Sequence, residues 1–315
     1  MAVAPEIETP LAPEPHDPHP SAAGDARFAR RLILPGRLLL LLLVVFPTLM
    51  EIYIGFTQWG PTTGSDWYSA YKYWDWLNNY SDAFSSWNFT RTIVRTVIMT
   101  AAAVGAEFLI GFGLALLFAE KLPLKRLWTV LMLIPMMIVP AVPGFTFYLL
   151  MGTTGPLNQL ISLIVPGDVQ IQWLSDPHVT PISVVIVDVW QWTPLMFLIL
   201  LSGINSVPDD QLNAARILGA SWWQRLHMVV LPIMKPVILI ALIIRTMEAF
   251  KLFDAAWILT QGGPGEASST ISVKLYRDAI IGNQWGYVAA LAIVVMIIVS
   301  IAAAQAVKPL ERAAA

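Results

Sequence analysis

Cysteine is absent from the 315 residues, and charge is scarce, with Asp, Glu, Lys and Arg together making up 13%. Without thiols the chain has no disulfide and no thiolate metal site. Its four histidines, His16, His19, His178 and His227, are scattered without ligand spacing, so no metal site is expected. A formal net charge of -2 with no basic run gives no footprint for nucleic acid. No Gly-x-x-x-x-Gly-Lys-Ser/Thr phosphate loop occurs, so nothing suggests a fused ATPase. No internal repeat is evident. Nor is there a cluster of carboxylates and histidines of the kind a membrane enzyme needs near an interface.

What is abundant is apolar. Hydrophobic residues make up 57% of the chain, and its mean hydropathy of +0.65 is too high for a soluble domain of this length. The fold class expected is an all-α integral membrane protein. Residues 1–26 hold six of the 23 prolines and almost no large apolar side chains, so they read as a disordered cytoplasmic tail. Arg27, Arg30 and Arg31 come directly before a long apolar stretch, the arrangement of a signal anchor rather than of a cleaved leader. A bilayer core of about 30 Å needs about 20 apolar residues in a helix. Six segments qualify, at 32–55, 92–118, 128–151, 181–204, 233–257 and 284–306, which together make one six-helix transmembrane domain over 27–312.

With the N-terminus in the cytoplasm, twelve of the 19 Lys and Arg residues fall inside: Arg27, Arg30, Arg31, Arg37, Lys121, Lys125, Arg126, Arg216, Arg225, Lys235, Lys308 and Arg312. Both termini are then cytoplasmic.

Between the fourth and fifth spans lies a polar island, 205–232. Pro208, Asp209 and Asp210 supply a helix start with acidic groups on its first turn, and Gly219 stops that helix. Ser221 and Gln224 stand at the spacing of a capping box, so a second short helix opens at once with Trp222 and Trp223, limited by Pro232. The run Asn213, Ala214, Ala215, then Gly219 and Ala220, then Leu231 and Pro232, resembles the cytoplasmic EAA loop of ATP-binding-cassette importer permeases. It departs from that pattern at Asn213, where Glu is usual, and at Leu226, where Phe is usual. An amphipathic hairpin lying on the membrane surface is the plainer alternative, but it requires neither Ala-Ala nor Gly-Ala at this spacing.

Polar groups inside the spans form the next candidates, since ionisable side chains there are costly unless paired or wet. Glu107 and Arg245 fall at similar depth, either as a structural ion pair or as part of a pathway. Glu248, Lys251 and Asp254 follow at i, i+3 steps that permit local pairs and spiral around the fifth span. The fourth span carries Asp188, Trp190, Gln191 and Trp192 ahead of Pro194, a combination of hydrogen-bonding groups and flat rings that suits a polyhydroxylated solute. The competing reading makes Asp188 and Gln191 wetted interfacial residues beside belt tryptophans.

The external loop 55–91 is dense in Trp and Tyr, either as an interfacial belt or as a docking and stacking surface. A second external loop carries Gly262, Gly263 and Pro264.

With Phe253 and Asp254 ahead of it, that Gly-Gly-Pro loop resembles the signature of sugar-importer permeases. The chain as a whole is similar to the membrane subunits for maltose, trehalose, polyols and glycerol phosphate. The resemblance implies a second homologous permease subunit, a cytoplasmic ATPase dimer and an extracytoplasmic substrate-binding protein as partners, in a bacterial inner membrane. It implies that Asn213, Ala214, Ala215, Gly219, Ala220, Ser221 and Trp222 couple to the ATPase. The solute would pass Asp188, Trp190, Gln191, Trp192, Glu248, Lys251 and Asp254, and the binding protein would touch Gly262, Gly263 and Pro264. On this reading the chain is not an enzyme and binds no cofactor, ATP and Mg belonging to the partner ATPase. Arg245 and Lys251 leave room for an anionic head group, so glycerol phosphate or an anionic glycoside stands beside a neutral sugar. An ion-coupled secondary transporter is the alternative of another class, one expected to show repeats or paired broken helices.

Overall fold

A computed structural model describes residues 22–120, 122–165 and 170–314, with side chains from 31 to 308. The expected N-terminal tail falls largely on residues 1–21, outside the described residues. The chain divides into two compact units, 1–51 and 52–315.

In the first unit, helix α1 (Ala22–Leu40) runs through a π-helical turn at Leu41–Val45 into α2 (Phe46–Gly55), which carries on past the boundary. Arg31–Gly55 is apolar enough to cross a membrane. Pro35 lies inside α1, and Thr48 Oγ1 donates to Val44 O.

The second unit is also helical, and among the described residues no strand forms beyond an isolated bridge between Thr57 and Trp74. After two 3-10 turns and α3 (Asn78–Ser85) comes α4 (Trp87–Ala119), whose first turn is capped by the Ser86 hydroxyl accepting from Phe89 N. Next come α5 (Lys125–Met137), α6 (Ala141–Leu150), α7 (Pro156–Ile164) and α8 (Thr180–Asn205), then α9 (Asp209–Ile217) and α10 (Trp222–Arg225). A π-helical turn leads to α11 (Leu231–Phe250), followed by α12 (Asp254–Thr260), α13 (Ile271–Tyr276) and α14 (Trp285–Ala314).

Helices α4 and α8 pack against each other over much of their length. Gly111 makes this possible, because a Cβ there would lie 3.0 Å from the backbone nitrogen of Phe197 and 3.1 Å from the Met196 side chain. Phe118 meets Phe197 edge to face at 5.0 Å, and Leu200, Met234 and Ala241 complete an apolar core shared with α11. Burying such side chains stabilises by about 1.5–3 kcal/mol each in water, whereas between lipid-immersed helices close van der Waals fit carries more of the load.

Two expected spans differ in form. The third is not one rod: α5 and α6 meet at a bend of 96°. Pro140 has no N–H to continue the helix, and Ile138 turns extended (φ −85°, ψ 136°), so the helix ends there and restarts at Ala141. The fifth breaks after Phe250. Leu252 is buried, and its carbonyl accepts from the Thr270 hydroxyl at 2.7 Å, so a distant side chain satisfies a group that the helix would otherwise have used. Glu248 and Asp254 therefore sit on different helices, and the expected spiral along one rod does not exist. Among the described residues, five helices are long and apolar enough to span a membrane, or six if the bent pair counts as one span.

Candidate translocation cavity and hairpin

The deepest polar feature is an ion triad joining three helices. Arg245 of α11 holds Glu107 of α4 in a fork, Nε to Oε2 at 2.6 Å and Nη2 to Oε1 at 2.8 Å, and its Nη2 also donates to Asp188 Oδ2 on α8. All three are buried, with exposures of 2%, 0% and 4%. The guanidinium also lies over the Trp192 ring at 5.2 Å from its centroid. The expected pairing of Glu107 with Arg245 thus forms, with Asp188 as a third member. Asp188 is not the wetted interfacial residue of the competing reading.

Beside the triad opens a cavity of about 190 Å³. Its wall gathers Asp188, Gln191, Trp192, Glu248, Lys251 and Asp254, six of the seven residues that the sequence marks for a solute pathway, together with Arg245. Trp190 is the exception: it leaves this wall and meets Phe147 edge to face at 5.5 Å. One turn of helix holds 3.6 residues, so the residue before Gln191 points about 100° away from it.

Gln191 is 4% exposed and reaches the break in the third span, where its Nε2 donates to Ile138 O at 3.0 Å. Sequence reading misses Ile138 altogether, because its contribution is a backbone carbonyl left without an in-helix partner where α5 ends. Pro140, two residues further on, is a local signal of that break. Lys251 and Glu248 form an exposed pair at 3.3 Å.

At the other candidate region, α9 ends in a Schellman motif. Ala220 N donates to Ala215 O and Gly219 N to Arg216 O, both at 3.0 Å, with Gly219 at φ +77°. Ser221 then caps α10: its Oγ accepts from Gln224 N at 3.3 Å while Gln224 Oε1 accepts from Ser221 N at 2.7 Å, closing the expected capping box. The spacing of Ala215, Gly219, Ala220 and Ser221 is therefore what a two-helix hairpin with a tight reversal requires. Asn213 Oδ1 accepts from Arg216 at 3.5 Å, a long contact within its own helix. At the tip, Ile217 and Leu218 are 86% and 87% exposed. These two apolar residues lie inside the motif but outside the residues that the sequence reading selects.

The Gly-Gly-Pro loop is tied down from within. Gly262 N donates to Ala256 O, and the Ser268 hydroxyl donates to Gly263 O at 2.8 Å. Ile271 N donates to the Thr96 hydroxyl, and Arg95 donates to Ser269 O, which bind the loop to α4. Gly262 is buried against Ser269 and Val273, Gly263 and Pro264 are half-buried, and Gln261 and Gly265 are exposed.

Several apolar helices, a charge-lined cavity at a helix break and a protruding capped hairpin define a helical membrane transport protein. The chain belongs to the family of binding-protein-dependent transport system inner membrane components, which it matches over residues 107–312. It is 30% identical over 282 residues to the trehalose/maltose transport system permease protein MalF of Thermococcus litoralis, covering 87% of this chain and 90% of that one. To the trehalose transport system permease protein SugA of Mycobacterium tuberculosis it is 32% identical over 277 residues, covering 87% and 86%. The fold matches a bacterial ABC transporter involved in the import of the acidic polysaccharide alginate, with a TM-score of 0.75 at 20% identity over 92% of this chain and 96% of that one.

Proposed function

We propose that this chain is the membrane-spanning permease subunit of an ATP-binding-cassette importer for a sugar or related polyhydroxylated solute. The observation that carries this reading is the cavity, where six residues from α8, α11, α12 and the break between the last two gather hydrogen-bonding groups and an indole around a space of about 190 Å³. Relatives named for trehalose and maltose transport over most of their length support the same solute class.

The hairpin 205–232 is the coupling element on the cytoplasmic face, seated in a partner ATPase dimer, and both termini lie on that side. Its exposed Ile217 and Leu218 suit a cleft that covers them. A second, homologous permease completes the pathway, and an extracytoplasmic binding protein delivers the solute near the loops at 55–91 and 261–265. Of the latter, Gln261 and Gly265 offer more surface than Gly262. Hydrolysis of ATP with Mg belongs to the ATPase, and this chain carries no cofactor and performs no chemistry. It contributes two helix arrangements that the partners bias.

The test is trehalose uptake by the complete complex reconstituted in lipid vesicles, with Ala215→Trp or Gly219→Trp in this chain. Uptake and ATPase copurification are expected to fall together, while the binding protein keeps its affinity for trehalose. Undiminished uptake in both variants would remove the coupling assignment.

A further inference from the structure

The cavity beside the triad carries an asymmetry of hydrogen-bonding capacity. Its two cations are both engaged: Arg245 by Glu107 and Asp188, Lys251 by Glu248. Arg245 has its Nε and Nη2 committed to carboxylates and is itself only 2% exposed, so an anion drawn to its guanidinium also meets the Glu107 and Asp188 carboxylates. Lys251 is exposed, but any anion approaching it also meets the Glu248 carboxylate 3.3 Å away.

The acceptors are in the opposite condition. Gln191 is 4% exposed, and its amide nitrogen is fixed by the Ile138 carbonyl at 3.0 Å, which sets the amide orientation and leaves Oε1 without a partner among the described residues. Asp254 lines the same cavity with a carboxylate that has no hydrogen bond or ion pair among the described residues. Gln191 Oε1 and the exposed Asp254 carboxylate thus line the cavity with acceptor capacity that an entering hydroxyl can use.

We propose that this cavity is a donor-selective site: Gln191 Oε1 and the Asp254 carboxylate accept hydrogen bonds from hydroxyls of a neutral sugar stacked near Trp192, and the cavity rejects anionic sugars. The formal charges agree. Three carboxylates face the space against two cations, with Glu107 behind Arg245 as a fourth. A phosphate or uronate group would meet repulsion from Asp254 while each cation already faces a carboxylate, whereas hydroxyls donate without charge. The break in the third span has a definite part in this selectivity. Had α5 continued, the Ile138 carbonyl would accept from its own helix and Gln191 would be free to rotate. Arg245 acts here as a positioning residue that consumes its own charge, and Gln191 and Asp254 are the specificity-determining contacts.

This inference rests on the sugar-permease reading and sharpens its solute class. Its test uses the permease–ATPase complex in detergent without the binding protein, so that selectivity arising elsewhere is left out. Trehalose and trehalose 6-phosphate are titrated by saturation-transfer difference NMR. The wild type is expected to bind trehalose at least tenfold better than the phosphate. Asp254→Lys, at an exposed position that the core does not depend on, is expected to shift that ratio at least tenfold towards the phosphate. Asp254→Asn gives an intermediate shift, and Gln191→Leu weakens trehalose about tenfold, the loss of one hydrogen bond to a buried site. Trehalose 6-phosphate binding as well as trehalose in the wild type, or a ratio unmoved by Asp254→Lys, overturns the donor-selective assignment while leaving the sugar reading in place. A wild type that binds neither these nor maltose, sorbitol or glycerol overturns the sugar reading itself.

Discussion

Arg245 ties three helices together through one side chain, and its substitution separates a structural part from a selective one. Arg245→Met leaves the buried Glu107 and Asp188 carboxylates without a cation between them, and removal of one partner from a buried ion group costs about 3–5 kcal/mol. The expected outcome is a large fall in the thermal unfolding midpoint in detergent. Combining Arg245→Met with Glu107→Gln and Asp188→Asn is expected to recover most of it, because the uncompensated charges are then gone. A triple variant no more stable than Arg245→Met would show that the arginine acts through packing on Trp192 instead. At this scale the sequence reaches the identity of the charged residues and the pairing of Glu107 with Arg245. It does not reach the inclusion of Asp188, which depends on how α8 is rotated against α4 and α11.

Elements are set by short-range chemistry and then corrected by long-range contact. The hairpin is the clearest local case: proline and acids at its start, glycine at its reversal and a capping box at its restart all lie within a few residues, so sequence spacing alone predicts the observed hydrogen bonds. Ser221→Ala should cost about 1 kcal/mol of local helix stability, read as faster amide exchange across 221–226 with the spans unchanged. Gly219→Val has open space for its side chain yet must hold a left-handed backbone, at about 1–2 kcal/mol, so it should loosen the reversal without disturbing any neighbour. The opposite case is Gly111, with helical backbone but no room. Gly111→Leu should push α4 from α8 and lower stability by about 1–3 kcal/mol, which thermal unfolding of the purified chain measures. The fifth span shows why element ends escape a sequence reading. No proline or glycine marks Lys251, and the Leu252 carbonyl just past the stop is met by a threonine hydroxyl eighteen residues further along the chain.

For the whole molecule, the coupling proposal makes Ile217 and Leu218 the anchors of an interface. Their replacement by Asp is expected to reduce ATPase copurification and solute uptake about tenfold or more, the size of effect typical of buried apolar anchors, while the unfolding midpoint of the isolated chain stays within error. A drop in that midpoint instead would mark the tip as part of the chain's own core. Gly262, expected at a binding-protein contact, is covered by Ser269 and Val273, so mutational scanning of that loop should find Gln261 more sensitive in binding-protein docking than in stability.

The sequence by itself determined the membrane class, the approximate positions of the apolar helices and the hairpin with its caps. Each follows from composition or from neighbours a few residues apart, where bilayer thickness and backbone hydrogen bonding leave little choice. Only the tertiary structure decided that the third span bends by 96° and that Trp190 turns away while Gln191 turns in. It also decided that both cations beside the cavity are already spent. Those outcomes depend on which faces of α4, α8 and α11 meet, and packing across a hundred residues of chain carries no local signal of the angle at which two helices come to rest.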